Sequence, residues 1–234
     1  MLTVYGPAVR VGHMNASPFV GKLETWLRLA GLPYTFQPAN PFKAPKGKVP
    51  YVDMDGELVG DSQLIIERLT QKHKITLDDH LSPADRAVGH AVRRMLEEGT
   101  YFCTVYTRWV RPEGWQVYKP LMGRLMPGLV LHLVRRNIRK ALHAQGTGRH
   151  SDEEILAFAK ADLAALATVL GDKPYLLGDR PSSVDANAYV VAYGALTFTG
   201  CAPLNEEARR HKNLEAYVAR MSAAYWPPGE LTRT

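Results

Sequence analysis

The sequence predicts an α/β domain followed by an all-helical domain. Up to about residue 76, short runs rich in β-forming residues alternate with helical patterns. After about His80, apolar residues recur only at helical spacing. The order strand, helix, strand, strand, strand, helix in the first part is typical of an α/β sandwich. We therefore expect one domain over residues 1–76 and a second over residues 83–234.

The strands of the first domain are short runs bounded by turn residues. We predict them over residues 2–5, 34–37, 51–54 and 58–59. The last two pair through Asp55-Gly56, a typical two-residue hairpin turn. A polar loop is expected between the first strand and residue 17, and a loop rich in proline and lysine over residues 38–48.

The first helix has a complete set of boundary signals. Ser17 suits the N-cap, Pro18 the first helical position and Gly31 the C-terminal stop. Apolar residues mark one face of this helix, while Lys22 and Thr25 fall on the other. A second helix is expected to begin near residues 61–62.

The second domain is predicted from capping patterns. Helices are expected after Ser82-Pro83, after Ser151 with Glu154 and after Ser182 with Asp185. The helix after Ser182 is apolar all round, which predicts a buried central helix. A final helix around residues 214–221 should end at the proline pair 227–228.

The composition limits the class of protein. Two distant cysteines, Cys103 and Cys201, form neither a disulfide framework nor a zinc site. No secretory leader or membrane span is visible, so we expect a cytoplasmic protein. The net charge of +6 comes partly from residues 135–140, without a nucleic-acid-binding motif. This basic run is interpreted as a solvated helix face, or as a surface that attracts an anionic substrate.

Three features occur in the order that a thiol-binding site needs. Ser17 begins the first helix, where a hydroxyl donor and the positive helix end stabilise a thiolate. Val49-Pro50, with proline in the cis form, would present the Val49 backbone to a bound peptide. Asp61-Ser62 offers a carboxylate, a hydroxyl and backbone donors that suit an α-amino-carboxylate. Each feature also has a purely structural interpretation as a helix cap or strand start.

The sequence resembles the tau- and omega-like glutathione transferases. Residues 16–20 are similar to their Ser-Pro-Phe segment, residues 46–52 to their Lys-Val-Pro segment, residues 61–67 to their Glu-Ser segment, and residues 177–185 to the N-capping box of their helical domain. Residues 24–28 and 145–151 resemble the failed axon connections and metaxin-like branch. The resemblance implies a thioredoxin-like domain followed by a helical bundle, glutathione as co-substrate and a homodimer.

The resemblance also assigns roles. Ser17 would stabilise the glutathione thiolate, Val49 and Pro50 would hold the cysteinyl part, Asp61 and Ser62 the γ-glutamyl end, and Lys48 the glycyl carboxylate. A serine cannot form a mixed disulfide, which favours conjugation to a hydrophobic electrophile over disulfide exchange. Asp61 replaces a more common glutamate and has a shorter reach.

Several alternatives remain open at this stage. Tyr101, Phe102, Tyr106 and Trp109 lie on a predicted helix, either beside the electrophile or in the core. His13 is either solvated or close to the site. The whole protein is either a conjugating enzyme, a non-catalytic module that recognises proteins or anionic membrane surfaces, or a carrier of hydrophobic ligands.

Overall fold

A computed structural model describes residues 2–40 and 42–227 of the chain. Its main sheet has four strands, β1 (Leu2–Gly6), β4 (Tyr34–Pro38), β5 (Tyr51–Met54) and β6 (Glu57–Gly60), in the order β4-β1-β5-β6. β1 is parallel to β4 and antiparallel to β5, and β5 is antiparallel to β6. The predicted turn at Asp55-Gly56 joins β5 to β6 with positive φ at both residues.

The predicted polar loop before Ser17 contains a small hairpin. Its strands are β2 (Arg10–Val11) and β3 (Met14–Asn15), which are antiparallel and turn at Gly12, where φ is +62°. Two-residue strands are too short to show a period-two pattern, so they cannot be predicted from the sequence. A 3₁₀ turn, Pro45–Gly47, likewise lies in the predicted 38–48 loop.

Helices α1 (Pro18–Leu29) and α2 (Ser62–His73) complete this α/β part. Side chains of α1, α2 and the sheet form one core, with Val4, Leu23, Trp26 and Ile65 fully buried. The opposite face of α1 is also buried, because helix α8 (Ser183–Thr197) of the helical part packs against it. Lys22 and Thr25 are therefore inside the protein, although a single helical pattern suggested a polar face.

The described residues from Pro83 onward are mainly helical. The helices are α3 (Pro83–Arg94), α4 (Tyr101–Trp109), α5 (Pro112–Met122), α6 (Gly128–Gln145), α7 (Asp152–Leu170), α8 (Ser183–Thr197), α9 (Ala202–Arg210) and α10 (Lys212–Tyr225). A π-helical turn, Met95–Thr100, connects α3 to α4. The capping boxes predicted at Ser151 and Ser182 are present. The expected stop at Pro228 lies outside the described residues, as do Met1 and residues 229–234.

Helix α8 is the centre of the helical part, as its apolar sequence predicted. Ten of its fifteen residues are buried, and seven of them pack with α7 and α10 in a second core. Ala186 of α8 also joins the core of the α/β part. Cys103 and Cys201 are buried and unpaired with each other. None of the helices in residues 2–40 and 42–227 has the length and hydropathy needed to cross a bilayer.

Candidate functional site

Ser17 is the N-cap of α1, as predicted. Its Oγ accepts a hydrogen bond from the backbone N–H of Val20 at 3.5 Å. Its own N–H donates to Asn15 Oδ1 at 2.9 Å, and the preceding carbonyl, Ala16 O, accepts from Arg108 Nη1 at 2.9 Å. The bonds to Asn15 and from Arg108 hold the backbone in place next to Ser17, whose side chain is half-buried. Because the Oγ accepts in the cap, its proton stays free to be donated.

The Val49–Pro50 peptide bond is cis. Pro50 precedes β5, whose Tyr51 pairs with Tyr5 at the end of β1. The Pro50 carbonyl accepts a hydrogen bond from the N–H of Asp61 at 3.3 Å. The second and third features of the predicted site are therefore adjacent in the structure. Lys48 lies beside them with its side chain exposed to solvent.

Asp61 and Ser62 form the start of α2. Asp61 Oδ1 accepts hydrogen bonds from the N–H groups of Gln63 and Leu64, at 2.9 and 3.3 Å. The backbone of Asp61 has φ +84° and ψ 120°, a conformation that favours glycine. Ser62 is buried, with 4% of its surface exposed. The carboxylate of Asp61 thus serves as the helix cap that the structural interpretation expected.

A buried lysine connects the starts of the two helices. Lys22 Nζ donates to Gln63 Oε1 at 2.9 Å and to Glu97 Oε1 at 2.6 Å. Burial lowers the pKa of Lys22. Burial by itself would raise the pKa of Glu97, but its bonds with Lys22 and Asn187 hold that pKa below the usual value. This contact brings the beginning of α1 beside the beginning of α2 and fixes both against the helical part.

A mostly apolar pocket lies next to Ser17, between α1, α4 and α8. Pro18 and Phe19 of α1 line one side. The α4 side is lined by Tyr101, Thr104 and Arg108, which share one helical face. Such a concave apolar site with a few polar groups is typical of small-molecule binding sites. It begins one residue beyond Ser17, and neither Ser17 nor Asp61 is among its lining residues.

Only one of the four aromatic candidates lines this pocket. Tyr101 does so, and its ring packs against Phe19 at 4.7 Å. Tyr106 instead donates to Asp152 Oδ1 at 2.6 Å, and Trp109 is buried against Trp115. Phe102 makes an edge contact with Tyr101 without lining the pocket. The core interpretation is confirmed for Trp109.

Sequence reasoning missed Thr104 and Arg108, which lie three and seven residues after Tyr101. That spacing places them on the face of Tyr101, so the helical period was the available signal.

His13 packs against the helical part instead of lining the pocket. Its Nε2 lies 2.7 Å from the hydroxyl of Tyr189, and its ring contacts Tyr193 and Trp226 at 4.4 and 5.1 Å. Burial, followed by the charges of Arg10 and Arg28, lowers the pKa of His13. The solvated interpretation of this histidine is wrong, because the hairpin that carries it docks onto α8 and the end of α10.

Two family models match the chain. The first, glutathione S-transferase N-terminal domain, covers residues 18–114. The second, glutathione S-transferase, C-terminal domain, covers residues 159–221. Together they match more than half of the chain.

Individual relatives point the same way. The isoprene-epoxide–glutathione S-transferase of Rhodococcus sp. (strain AD45) is 36% identical over 200 residues, covering 81% of this chain and 84% of that protein. Failed axon connections of Drosophila melanogaster is 34% identical over 191 residues, which are 76% of this chain. The match spans 46% of that longer protein.

Solved structures share the fold at lower identity. A glutathione S-transferase from Methylobacterium radiotolerans JCM 2831, in complex with glutathione sulfonate, is 19% identical with a TM-score of 0.64. The match covers 100% of this chain and 96% of that structure.

Proposed function

Since the chain belongs to the glutathione S-transferase superfamily, with relatives in the failed axon connections and metaxin-like branch, we propose that it binds glutathione and conjugates its thiolate to a hydrophobic electrophile. The observation that supports this most is the placement of Ser17. It lies at the N-terminus of α1, beside an apolar pocket, with its hydroxyl proton free.

Ser17 has the properties of a thiolate stabiliser. Its Oγ–H is the donor, and the start of α1 adds the positive end of a twelve-residue helix. Both effects favour the charged form of a thiol and lower its pKa. The thiolate, rather than the thiol, is the nucleophile in conjugation.

The other predicted residues would hold the remainder of glutathione. Val49, next to the cis peptide bond at Pro50, would pair its backbone groups with the cysteinyl part. Ser62 and the backbone at the start of α2 would hold the γ-glutamyl end, and Asp61 would reach it with the carboxylate oxygen not used in the cap. Lys48 is exposed and would meet the glycyl carboxylate.

The pocket beside Ser17 would hold the electrophile. The Rhodococcus relative is named for an epoxide substrate, so a small apolar epoxide is the class to test first. In that reaction the thiolate attacks a ring carbon, a C–S bond forms, the C–O bond breaks and the resulting alkoxide takes up a proton. The apolar walls at Pro18, Phe19 and Val190 suit the hydrocarbon part of such a substrate.

The test of this function is Ser17→Ala. We expect kcat/KM for conjugation with a small epoxide or an aryl halide to fall by roughly 10–100-fold, because removing one donor to a developing or stabilised anion costs at least that much. The matched control is Ser151→Ala, which removes an N-cap of the same type from the start of α7, at a residue that does not line the pocket. Equal rates for Ser17→Ala and the parent would refute the role of Ser17.

Binding is measured separately by calorimetric titration with glutathione. We expect Asp61→Ala and Ser17→Ala to weaken binding relative to the parent and to Ser151→Ala. If the parent binds glutathione but turns over neither electrophile, the non-catalytic module is the better description. If it does not bind glutathione, the proposed function is wrong.

A second candidate function, recognition of an anionic membrane surface, is favoured by helix α6. This helix carries four arginines and lysines and no aspartate or glutamate, so it contributes +4 of the net +6. A shallow groove along it is lined only by basic side chains, from His132 to His143. Beside the groove, Leu129 and Leu133 are 76% and 51% exposed. Basic and exposed apolar residues on one helix are typical of binding in the membrane interface.

Vesicle co-sedimentation tests this candidate. Each basic residue near an anionic bilayer contributes about 1 kcal/mol, so Arg136→Gln/Arg139→Gln should release the protein from phosphatidylserine vesicles. The control, Arg180→Gln/Arg209→Gln, removes two other exposed cations. No sedimentation of the parent at low salt, or equal sedimentation of both double variants, would refute it.

The proposal has four further parts. Residues 1–76 would form the glutathione-binding domain and residues 83–234 the helical domain, of which residues 228–234 are not described. The protein would be a homodimer, act in detoxification and reside in the cytoplasm. Size-exclusion chromatography with light scattering tests the dimer.

A further inference from the structure

Arg108 links the helical part to the residue before Ser17. It lies near the end of α4 and donates from Nη1 to the carbonyl of Ala16 at 2.9 Å. Ala16 is 2% exposed, so this contact is inside the protein. The same guanidinium lines the apolar pocket. A cation from the second half of the chain is thereby held beside the first turn of α1.

This guanidinium has no carboxylate partner within the described residues. Its carbon lies 5.2 Å from the ring centre of Phe198 and 5.5 Å from that of Tyr118, and its Nε is buried without a hydrogen-bond partner. Other cations around α1 differ, since Lys22 pairs with Glu97 and Arg10 with Glu24. Burying a charge without a counter-ion is unfavourable. The described part of the chain therefore holds a positive charge at the pocket without a carboxylate paired to it.

The groups that face Arg108 leave this charge uncompensated. Tyr101 of α4, Tyr118 of α5 and Tyr193 of α8 are phenols whose pKa values burial raises, so they are neutral near pH 7. Across the pocket, Lys22 and Glu97 carry opposite charges that offset each other. The field at the beginning of α1 is consequently positive.

We propose that Arg108 is a positioning residue for the thiolate of glutathione. It fixes the backbone before Ser17 through Ala16, and its charge lowers the pKa of the thiol bound there. This inference rests on the proposed function. An opposite charge within a few ångströms lowers the pKa of an acid by about 1–3 units, and the bound thiolate would be the counter-ion that Arg108 does not have among the described residues.

The test compares Arg108→Gln with Arg108→Lys. Glutamine keeps a hydrogen-bond donor for Ala16 and removes the charge, whereas lysine keeps the charge. The pKa of the bound thiol is measured from the thiolate ultraviolet absorbance of the glutathione complex, and again from the pH profile of kcat/KM with an aryl halide. We expect Arg108→Gln to raise this pKa by about one unit and Arg108→Lys to leave it close to the parent value.

Arg209→Gln is the matched control, because it removes one positive charge from the surface of α9. It should not change the thiol pKa. An unchanged pKa in folded Arg108→Gln would overturn the inference, whatever happens to stability in urea. If Arg108→Gln does not fold, the test rests on Arg108→Lys, which keeps the positive charge. A rise of one unit in the thiol pKa of Arg108→Lys would refute the role of the charge. Failure of the parent to bind glutathione would instead refute the proposed function.

Discussion

Two buried carboxylates that contact cations at α1, Glu24 and Glu97, have pKa values shifted in opposite directions. Glu24 belongs to α1 and has a fully buried side chain, which accepts from Arg10 Nη2 at 2.6 Å and Arg10 Nη1 at 3.2 Å. Glu97 belongs to the π-helical turn after α3 and accepts from Lys22, Arg93 and Asn187, at 2.6, 2.9 and 3.1 Å. The first pair lies within the α/β part, whereas the second joins the two parts of the molecule.

The depth of burial decides which effect wins at each carboxylate, since the side chain of Glu24 is 0% exposed and that of Glu97 is 9% exposed. Burial raises the pKa of Glu24, and the bonds from Arg10 do not fully offset it. At Glu97, two cations and an amide more than offset burial, and the pKa is lowered. The exposed fractions of the partner cations differ as well, at 21% for Arg10 and 2% for Lys22. Lys22, enclosed between the two parts, therefore depends on its charged partner. Arg10 is partly exposed and is also solvated by water.

The largest expected effect is that of Glu97→Gln. This substitution leaves Lys22 buried without a counter-ion, and breaking one side of a buried ion pair costs about 3–5 kcal/mol. We expect the free energy of unfolding, measured by urea denaturation at neutral pH, to fall by that amount. Lys22→Met in the same chain removes the stranded charge and should restore part of the loss.

Glu24→Gln sharpens the comparison. Arg10 stays partly exposed to water, so we expect a loss of only about 1.5–3 kcal/mol, the range of a hydrogen bond to a charged group. Equal losses for Glu24→Gln and Glu97→Gln would show that the exposure of the remaining cation does not decide the cost.

The sequence predicted the helix caps and the two-part fold, but not the different environments of Glu24 and Glu97. The caps at Ser17, Ser151 and Ser182 were predictable because capping depends on residues within one turn. Lys22 was placed on a polar face because the helical period shows one apolar stripe and not a second packing partner. Its partner Glu97 is 75 residues away, and no local pattern connects the two.

The candidate site likewise contains features that depend on neighbouring residues and contacts that depend on the assembled fold. The cap at Asp61 follows from local pattern, whereas the contact between Pro50 and Asp61 depends on sheet register. Arg108 reaches Ala16 across 92 residues, so only the assembled fold shows it. Residues that act within one turn could be predicted from the sequence, and residues that act between the two parts could not.

Asp61 is a third carboxylate, whose partners are backbone N–H groups. We expect Asp61→Ala to lower the free energy of unfolding by about 1 kcal/mol for the lost cap and by about 1 kcal/mol more for placing alanine at φ +84°. Asp61→Gly loses the cap without that strain, and Asp61→Asn keeps a capping oxygen. The midpoint of thermal denaturation should therefore be highest for Asp61→Asn, lower for Asp61→Gly and lowest for Asp61→Ala. Equal values for Ala and Gly would contradict the role of the backbone conformation.

The smallest expected effect is a dependence on pH that arises beside the Arg10–Glu24 pair. Arg10 also donates to the carbonyl of His13, and burial with the charges of Arg10 and Arg28 lowers the pKa of this histidine. The unfolded chain then binds a proton more readily than the folded protein. The free energy of unfolding should be greatest above the ordinary histidine pKa near 6.5. It should fall as the pH drops from there toward the folded pKa.

Urea denaturation at several pH values between 5 and 8 measures this loss. His13→Gln should flatten the curve, and His132→Gln, at an exposed position on α6, should not. In Glu24→Gln the charge of Arg10 is no longer offset, so it repels a proton on His13 more strongly and the loss toward acid should be steeper. If the stability curve of Glu24→Gln is parallel to that of the parent, the charge of Arg10 does not influence the pKa of His13. The pH dependence at His13 would then come from burial and the charge of Arg28.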